Sequence, residues 1–481
     1  MSITNSVEQF DLESPLYQIN KQSTNMDEIN ELEEDQNSND NIIFQKEIKN
    51  QRENSTNTAY CGIRGDSEIT CILNIAVSAI GGGCFSFPHI IYEGGIIVSL
   101  ICFLFITICV YYSIDLLRRF VVDTKYFSFA LMTEKILGSN WLKVYAFCSF
   151  TIYTCMEVAY LSSIFVYVKG MYNLNGPLAH ILYFLISMII EILICLYITK
   201  IEYMHFLSII SIMCFVLMLL SLIVVAIVAN ATREVSNKFT SHNLFFPDLL
   251  EITFWNKLFK ISSYLMVYLY GFSYHSTFPT LIGSLKNVNN STTKKVHLIS
   301  FGIITMIYLF ISFFGYILSE EVPNEIFQEK DDLFSGGWAT LRKPFKYSLI
   351  IFLLFVIPIR FIVLRDNYIT LIGKSRLTVF KELPIVSVFI FICNILAFCV
   401  GEFEEHVQKY QIKTLILTFG GMFGVIISFC LPVINYVSVN GKKKIKSIIG
   451  YIISFIFVII GFLSSGHTFY QIFIGDNKKD D

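Results

Sequence analysis

Apolar residues fill most of this chain in blocks of about twenty, divided by short polar stretches. The blocks fall at about 69–91, 94–114, 142–168, 178–198, 206–229, 262–284, 299–318, 345–368, 384–401, 412–437 and 446–467. An α-helix needs about 20 apolar residues to cross a bilayer, so the pattern predicts an all-α membrane protein with eleven transmembrane helices. Residues 1–68 have no sustained apolar period and are rich in Asn, Gln, Ser and acid, which predicts a disordered, acidic cytoplasmic tail. Residues 69–468 form the predicted membrane domain and 469–481 a short polar tail. No signal-peptide pattern opens the chain, so the first span is expected to serve as its own targeting signal.

Composition agrees with the block pattern. Of the 481 residues 54% are hydrophobic and only 15% charged, against about 25% charged in a soluble domain. So few charges could not cover a water-soluble surface of this size. The tail carries 14 acidic and 5 basic residues, a net of −9, while the whole chain is −2, which leaves +7 to the membrane body. With the N-terminus cytoplasmic, the basic residues gather in alternate loops: Arg118, Arg119, Lys125 and Lys135, then Lys200, Lys286, Lys294 and Lys295, Arg365, Lys374, Arg376 and Lys381, and Lys442 to Lys444 with Lys446. The acidic groups Glu320, Glu321, Glu325, Asp331 and Asp332 fall between them, as do Glu402, Glu404 and Glu405, while the outer loop 230–261 is mixed. Eleven of the twelve cysteines lie in or beside apolar runs without a C-x-x-C pair, as small membrane hydrophobes do. No catalytic or phosphate-binding motif occurs, so an enzyme, a cofactor, a bound metal and a nucleic-acid partner are not expected. The expected partners are the lipid bilayer and a small solute, with the chain a monomer.

Two of the blocks are interrupted in the same way. The first contains Ser78-Ala79-Ile80-Gly81-Gly82-Gly83-Cys84-Phe85-Ser86-Phe87-Pro88. Each glycine costs a helix about 1 kcal/mol relative to alanine, and proline removes a backbone donor. The sixth contains Gly271-Phe272-Ser273-Tyr274-His275-Ser276-Thr277-Phe278-Pro279. Both should unwind, and the four spans between them make the two helices antiparallel. Matching breaks in two halves of opposite orientation point to an inverted-repeat transporter with its site at the midplane. Unwound backbone there offers N–H groups to an anion and carbonyls to a cation. An α-amino acid is a zwitterion and needs both. The candidate binding residues are Ile80, Gly81, Gly82, Gly83, Cys84, Gly271, Phe272, Ser273, Tyr274 and His275, with Tyr153 of the third span as an aromatic cover. A sensor that signals through the acidic tail is an alternative with the same binding site.

These residues resemble the amino acid/auxin permease family over most of 69–467. The first span resembles that family's Asn-x6-Gly-x-Gly…Pro opening in Asn74, Gly81, Gly83 and Pro88, followed by Gly94-Gly95. Phe272, Tyr274, His275 and Pro279 resemble its sixth-span segment, Ile357-Pro358-Ile359-Arg360 with Arg365-Asp366 its eighth, and Gly420-Gly421 with Leu431-Pro432 its tenth. The resemblance implies a five-plus-five inverted repeat with an extra eleventh helix, and amino-acid transport coupled to protons or sodium. The sodium-coupled branch has Asn three residues after the position of Asn74, where this chain has Val77, and a hydroxyl on the eighth span, where Leu349 to Ile357 carry none. The departure favours proton coupling or facilitated exchange over sodium symport.

Charge inside a membrane is costly and marks function by default. Glu157 lies mid-way along the third span and is the first candidate to carry a proton, with Glu191 and His275 behind it. Arg360, Arg365 and Asp366 lie towards the predicted cytoplasmic end of the eighth span, as snorkelling anchors or gate ion pairs, with Glu93 a further partner. A proton gradient would be available at a plasma membrane or at an acidic vacuole- or lysosome-like membrane.

Overall fold

The computed structural model describes residues 65–80, 82–172, 183–186, 188–189, 192, 204–231, 253–318, 344–357, 360, 387–399, 421–441 and 445–473. The acidic tail therefore lies outside the described residues, as do Gly81, Glu191, Arg365 and Asp366. Six described helices are long and apolar enough to cross a membrane, and a seventh span is a bent pair.

The bent pair is the first block. Helix α1 (Glu68–Ala79) starts on Ser67, whose side chain accepts from the Thr70 amide at 3.2 Å. A 3-10 turn (Gly82–Ser86) follows, then α2 (Phe87–Gly94), at 56° to α1. Pro88 stands in the first turn of α2, where the amide it lacks would have no partner in any case. The adjoining glycines have separate reasons. A Cβ on Gly94 would come within 2.8 Å of the Tyr264 ring, while Gly95 takes φ 76°, which L side chains rarely adopt, to turn the chain into the next helix.

Helix α3 (Ile96–Thr124) runs ten residues beyond the expected end of the second span. Arg118, expected in a loop, is instead fully buried on this helix. The cause is Asp115, three residues before Arg118 and four before Arg119, so that both reach back to it along one helix face. Arg118 Nε and Nη2 donate to Asp115 Oδ1 at 2.9 and 2.7 Å, and Arg119 Nε donates to Oδ2 at 2.7 Å. A short helix α4 (Phe129–Leu137), not anticipated from the blocks, turns Phe129, Met132 and Thr133 inward. Helix α5 (Ser139–Tyr172) is the third span and α6 (Met204–Ala231) the fifth.

The sixth block is broken like the first: α7 (Phe254–Gly271), a turn over 272–277, then α8 (Phe278–Gly283), again with its proline in the first turn. Helices α9 (Asn290–Leu318), α10 (Pro344–Ile357) and α11 (Ser387–Cys399) follow. The tenth block comprises α12 (Gly421–Val425), a π-helical turn (Ile426–Cys430) and α13 (Leu431–Asn440), and α14 (Ile445–Phe473) ends the described chain. The looser turn frees carbonyls that neighbouring helices take up: Ser113 donates to Ser428 O, and Ser454 to Phe429 O at 3.1 Å.

One continuous apolar core joins α1, α3, α5, α6, α7 and α9. The outer faces stay apolar too: Ile108 is 68% exposed, and Met213, Phe455 and Phe462 are likewise exposed. Such faces suit hydrocarbon rather than water.

Candidate functional site

The two broken spans meet at their breaks. The Asp66 amide donates to Ser284 O at 2.7 Å and the Lys286 amide to Asp66 O at 3.2 Å, so the start of the first broken span lies beside the end of the sixth. Glu68 and Lys295 pair nearby at 2.7 Å. The spans therefore run in opposite directions. At their crossing, a Cβ added to Gly83 would stand 2.6 Å from Tyr270 Cδ1 and 3.5 Å from the Gly271 Cα. A Cβ on Gly271 would overlap the Phe87 ring. Glycine is needed here for close backbone approach, besides its weakness as a helix former. Gly271→Ala should cost about 2 kcal/mol by overpacking. The clash is with a side chain, so Phe87→Leu in the same chain should restore part of the loss. Thermal unfolding in detergent checks both; an alanine variant as stable as the parent would remove the need for close approach.

Unwinding leaves carbonyls at the ends of α1 and α7, and side chains from other helices take them. Tyr308, buried on α9, directs its hydroxyl at Ala79 O (2.8 Å) and Gly271 O (2.5 Å), one from each broken span. Arg360 Nη2 donates to Ser78 O at 3.1 Å and Nη1 to the Met156 sulfur on α5. The Arg360 guanidinium also lies over the Tyr160 ring, 5.2 Å from its centroid. This corrects the position expected of Arg360. It is 3% exposed and sits at the break, where a helix C-terminal carbonyl and an aromatic face receive the cation. Glu93, the further partner expected there, pairs instead with its own helix: its Oε1 lies 3.0 Å from His89 Nε2.

Tyr153 and the sixth-span break are brought together, since the Tyr153 hydroxyl is buried close to the Ser276 side chain. Ile80, Cys84, Phe272, Tyr274 and His275 are all buried, and Ser273 donates back to Leu269 O at 3.2 Å. Within the 272–277 turn the amides of Phe272, Ser273, Tyr274 and Thr277 have backbone acceptors; among the described residues those of His275 and Ser276 have none. Both ring nitrogens of His275 also lack a hydrogen-bond partner among the described residues. Glu157 is 3% exposed and lies on α5 between Tyr153 and Tyr160. Among the described residues no three His, Cys, Asp or Glu side chains gather as a metal site would require.

Two residues of this architecture, Tyr308 and Asp115, are not among the candidates that sequence reasoning supplies. Tyr308 has no local signal, being one aromatic in an apolar span. The spacing Asp115, Arg118, Arg119 does carry one, because charges three and four apart share a helix face.

A family model described as transmembrane amino acid transporter protein matches residues 64–474. A search of curated protein sequences returns no match. Among solved structures the chain is similar to a manganese transporter of Eremococcus coleocola in complex with an aromatic bis-isothiourea substituted compound: 10% identity, 86% of this chain and 88% of that one, TM-score 0.56. A point mutant of the same transporter aligns at 10% identity over 85% and 88%, TM-score 0.58. A Na+-coupled sialic acid symporter in a substrate-bound outward-open state aligns at 12% identity over 83% and 89%, TM-score 0.50. At such identities the likeness concerns the fold.

Proposed function

Because the chain belongs to the transmembrane amino acid transporter family, we propose that it carries amino acids across its membrane by alternating access, with protons as the coupling ion. The observation that carries this reading is the crossing of two antiparallel broken helices at Gly83 and Gly271. Such a crossing supports an inverted repeat with the solute bound at the breaks; the family and the apolar blocks favour a five-plus-five repeat with an eleventh helix appended, and the placing of Lys and Arg favours a cytoplasmic N-terminus. The open amides of His275 and Ser276 suit a substrate carboxylate there.

The choice of ion rests on the carbonyls. A hard cation needs several oxygen ligands. Ser78 O already receives a hydrogen bond from Arg360, and Ala79 O and Gly271 O share the one hydroxyl proton of Tyr308. Donors fixed to the chain thus stand where a sodium ion would be held, which favours a proton as the mobile charge. Glu157 is the group proposed to carry it: a buried carboxyl exchanges one charge for none, which low dielectric favours.

Uptake of labelled amino acids into proteoliposomes, sodium-free and with or without an inward proton gradient, tests the reading. Accumulation should require the gradient. Glu157→Gln should still equilibrate the amino acid across the bilayer but no longer concentrate it. Concentrative uptake by that variant would remove Glu157 from the proton path, and accumulation driven only by sodium would overturn the choice of ion.

A further inference from the structure

His275 in the sixth-span break and His297 on α9 are 1% and 0% exposed. A neutral imidazole carries one N–H donor and one acceptor nitrogen. Neither nitrogen of His275 has a hydrogen-bond partner among the described residues, and those of His297 make none in bonding geometry, with only the Tyr111 backbone approaching that ring. The Tyr274 hydroxyl is likewise buried without a partner among the described residues. A polar group buried unpaired costs about 1–3 kcal/mol, so three such side chains in one region call for water among them. The three do share a region. The Tyr274 and His275 rings lie 6.0 Å apart, Phe278 stands 6.2 Å from Tyr274 and 5.7 Å from His297, and the charge of His297 is felt at His275.

On its other side His297 faces α3. It stacks on Tyr111, with ring centroids 4.8 Å apart and planes at 18°, and Asp115 and Arg118, about one and two turns further along α3, act on it electrostatically. One turn before His297 on α9, Thr293 Oγ1 accepts from Arg118 at 3.2 Å. The remaining rings against His297, Phe278 and Phe301, carry no charge. Asp115 and its second partner Arg119 are part-exposed, at 19% and 36% of their side chains. Ionisable groups therefore run from the buried break to part-exposed ones in the order His275, His297, Asp115. We propose that His275 and His297 form a two-station relay that passes the coupling proton between the break and the water at Asp115 and Arg119. Each imidazole takes a proton on one nitrogen and gives up the proton on the other, so charge passes while the ring returns to neutral. Water accepts the proton beyond His297 and delivers it to the solution at the start of α9, the cytoplasmic side on the reading above. The inference rests on the reading of the protein as proton-coupled. It adds an inner exit to the loading group Glu157 and gives His297 a part in transport.

The test uses the purified full-length protein in sodium-free proteoliposomes with a pH-sensitive dye inside. Two fluxes are read on one preparation: exchange of labelled for unlabelled amino acid at equal pH, which moves no net proton, and acidification of the lumen that depends on added amino acid. The parent should show both. His297→Gln keeps a polar side chain that cannot relay a proton, and should retain exchange while slowing acidification about a hundredfold. A variant that loses both fluxes together would make His297 a structural residue, and one that loses neither would take it off the path. A parent that exchanges but never acidifies would remove proton coupling itself, and the relay with it. A second measurement needs no variant and decides the matter even if His297→Gln does not fold. Deuterium uptake at the imidazole C2 carbon, read by mass spectrometry on the parent, should occur at both His275 and His297, because water reaches both rings. Failure of either ring to exchange would leave the path dry and overturn the relay.

Discussion

Tyr308→Phe is expected to lower the stability of the protein by about 1–3 kcal/mol and its transport rate by at least about tenfold. The substitution removes one oxygen and keeps the ring. That ring packs edge-on against Phe87 at 5.2 Å and Phe272 at 4.9 Å between centroids, and those contacts should survive. What disappears is the donor shared by Ala79 O and Gly271 O. A buried carbonyl left without a donor costs about 1–3 kcal/mol, and here two carbonyls share one proton. The loss falls on the break of each span at once, which is why function should suffer beyond stability. Thermal unfolding and initial uptake rates at saturating substrate, measured on the same preparation, check it. Unchanged uptake with lowered stability would confine the hydroxyl to folding; no change in either would mean that water serves both carbonyls equally well.

Asp115→Asn is expected to cost about 3 kcal/mol. Asparagine keeps the shape but withdraws the charge, and Arg118 is fully buried. Its remaining contacts, Asn290 Oδ1 at 2.7 Å and Thr293 Oγ1 at 3.2 Å, are polar but neutral. Removing one member of a buried pair strands the other, whereas replacing both with groups of similar volume is often nearly neutral. Asp115→Asn together with Arg118→Met should therefore recover most of the loss. Unfolding temperatures of the single and double variants in detergent give the answer. A double variant no better than the single one would show that Arg118 matters through its bonds to α9 rather than through its charge.

The broken helices are legible in the sequence because their causes are local. Glycine weakens a helix wherever it stands, and Phe-Pro begins the second half-helix in both spans. The glycine crossing can be suspected from the same residues, though the partners, Tyr270 and Phe87, cannot. The block pattern ends α3 too early because Asp115, Arg118 and Arg119 look like loop charges until they neutralise one another on a helix face. Helix α4 leaves no mark in that pattern because nine residues are too few for a block. The depth of Arg360 is hidden for a different reason. Its acceptor Ser78 lies 282 residues away in sequence, and no window along the chain brings the two together. Tyr308 is the same case, tied to Ala79 across 229 residues.

The crossing at Gly83 and Gly271 also bears on mechanics. With no side chain to act as a spacer, backbone rests on aromatic ring at the crossing, and Tyr308 pins both helix ends from a third helix. To slide one broken span along the other would drive Phe87 or Tyr270 into backbone, and to lift them apart would strip both carbonyls of their donor. The pair is thus built as an axle rather than as two independent hinges. On the proposed alternating-access mechanism, the motion would turn this unit as a single rigid piece against its neighbouring helices.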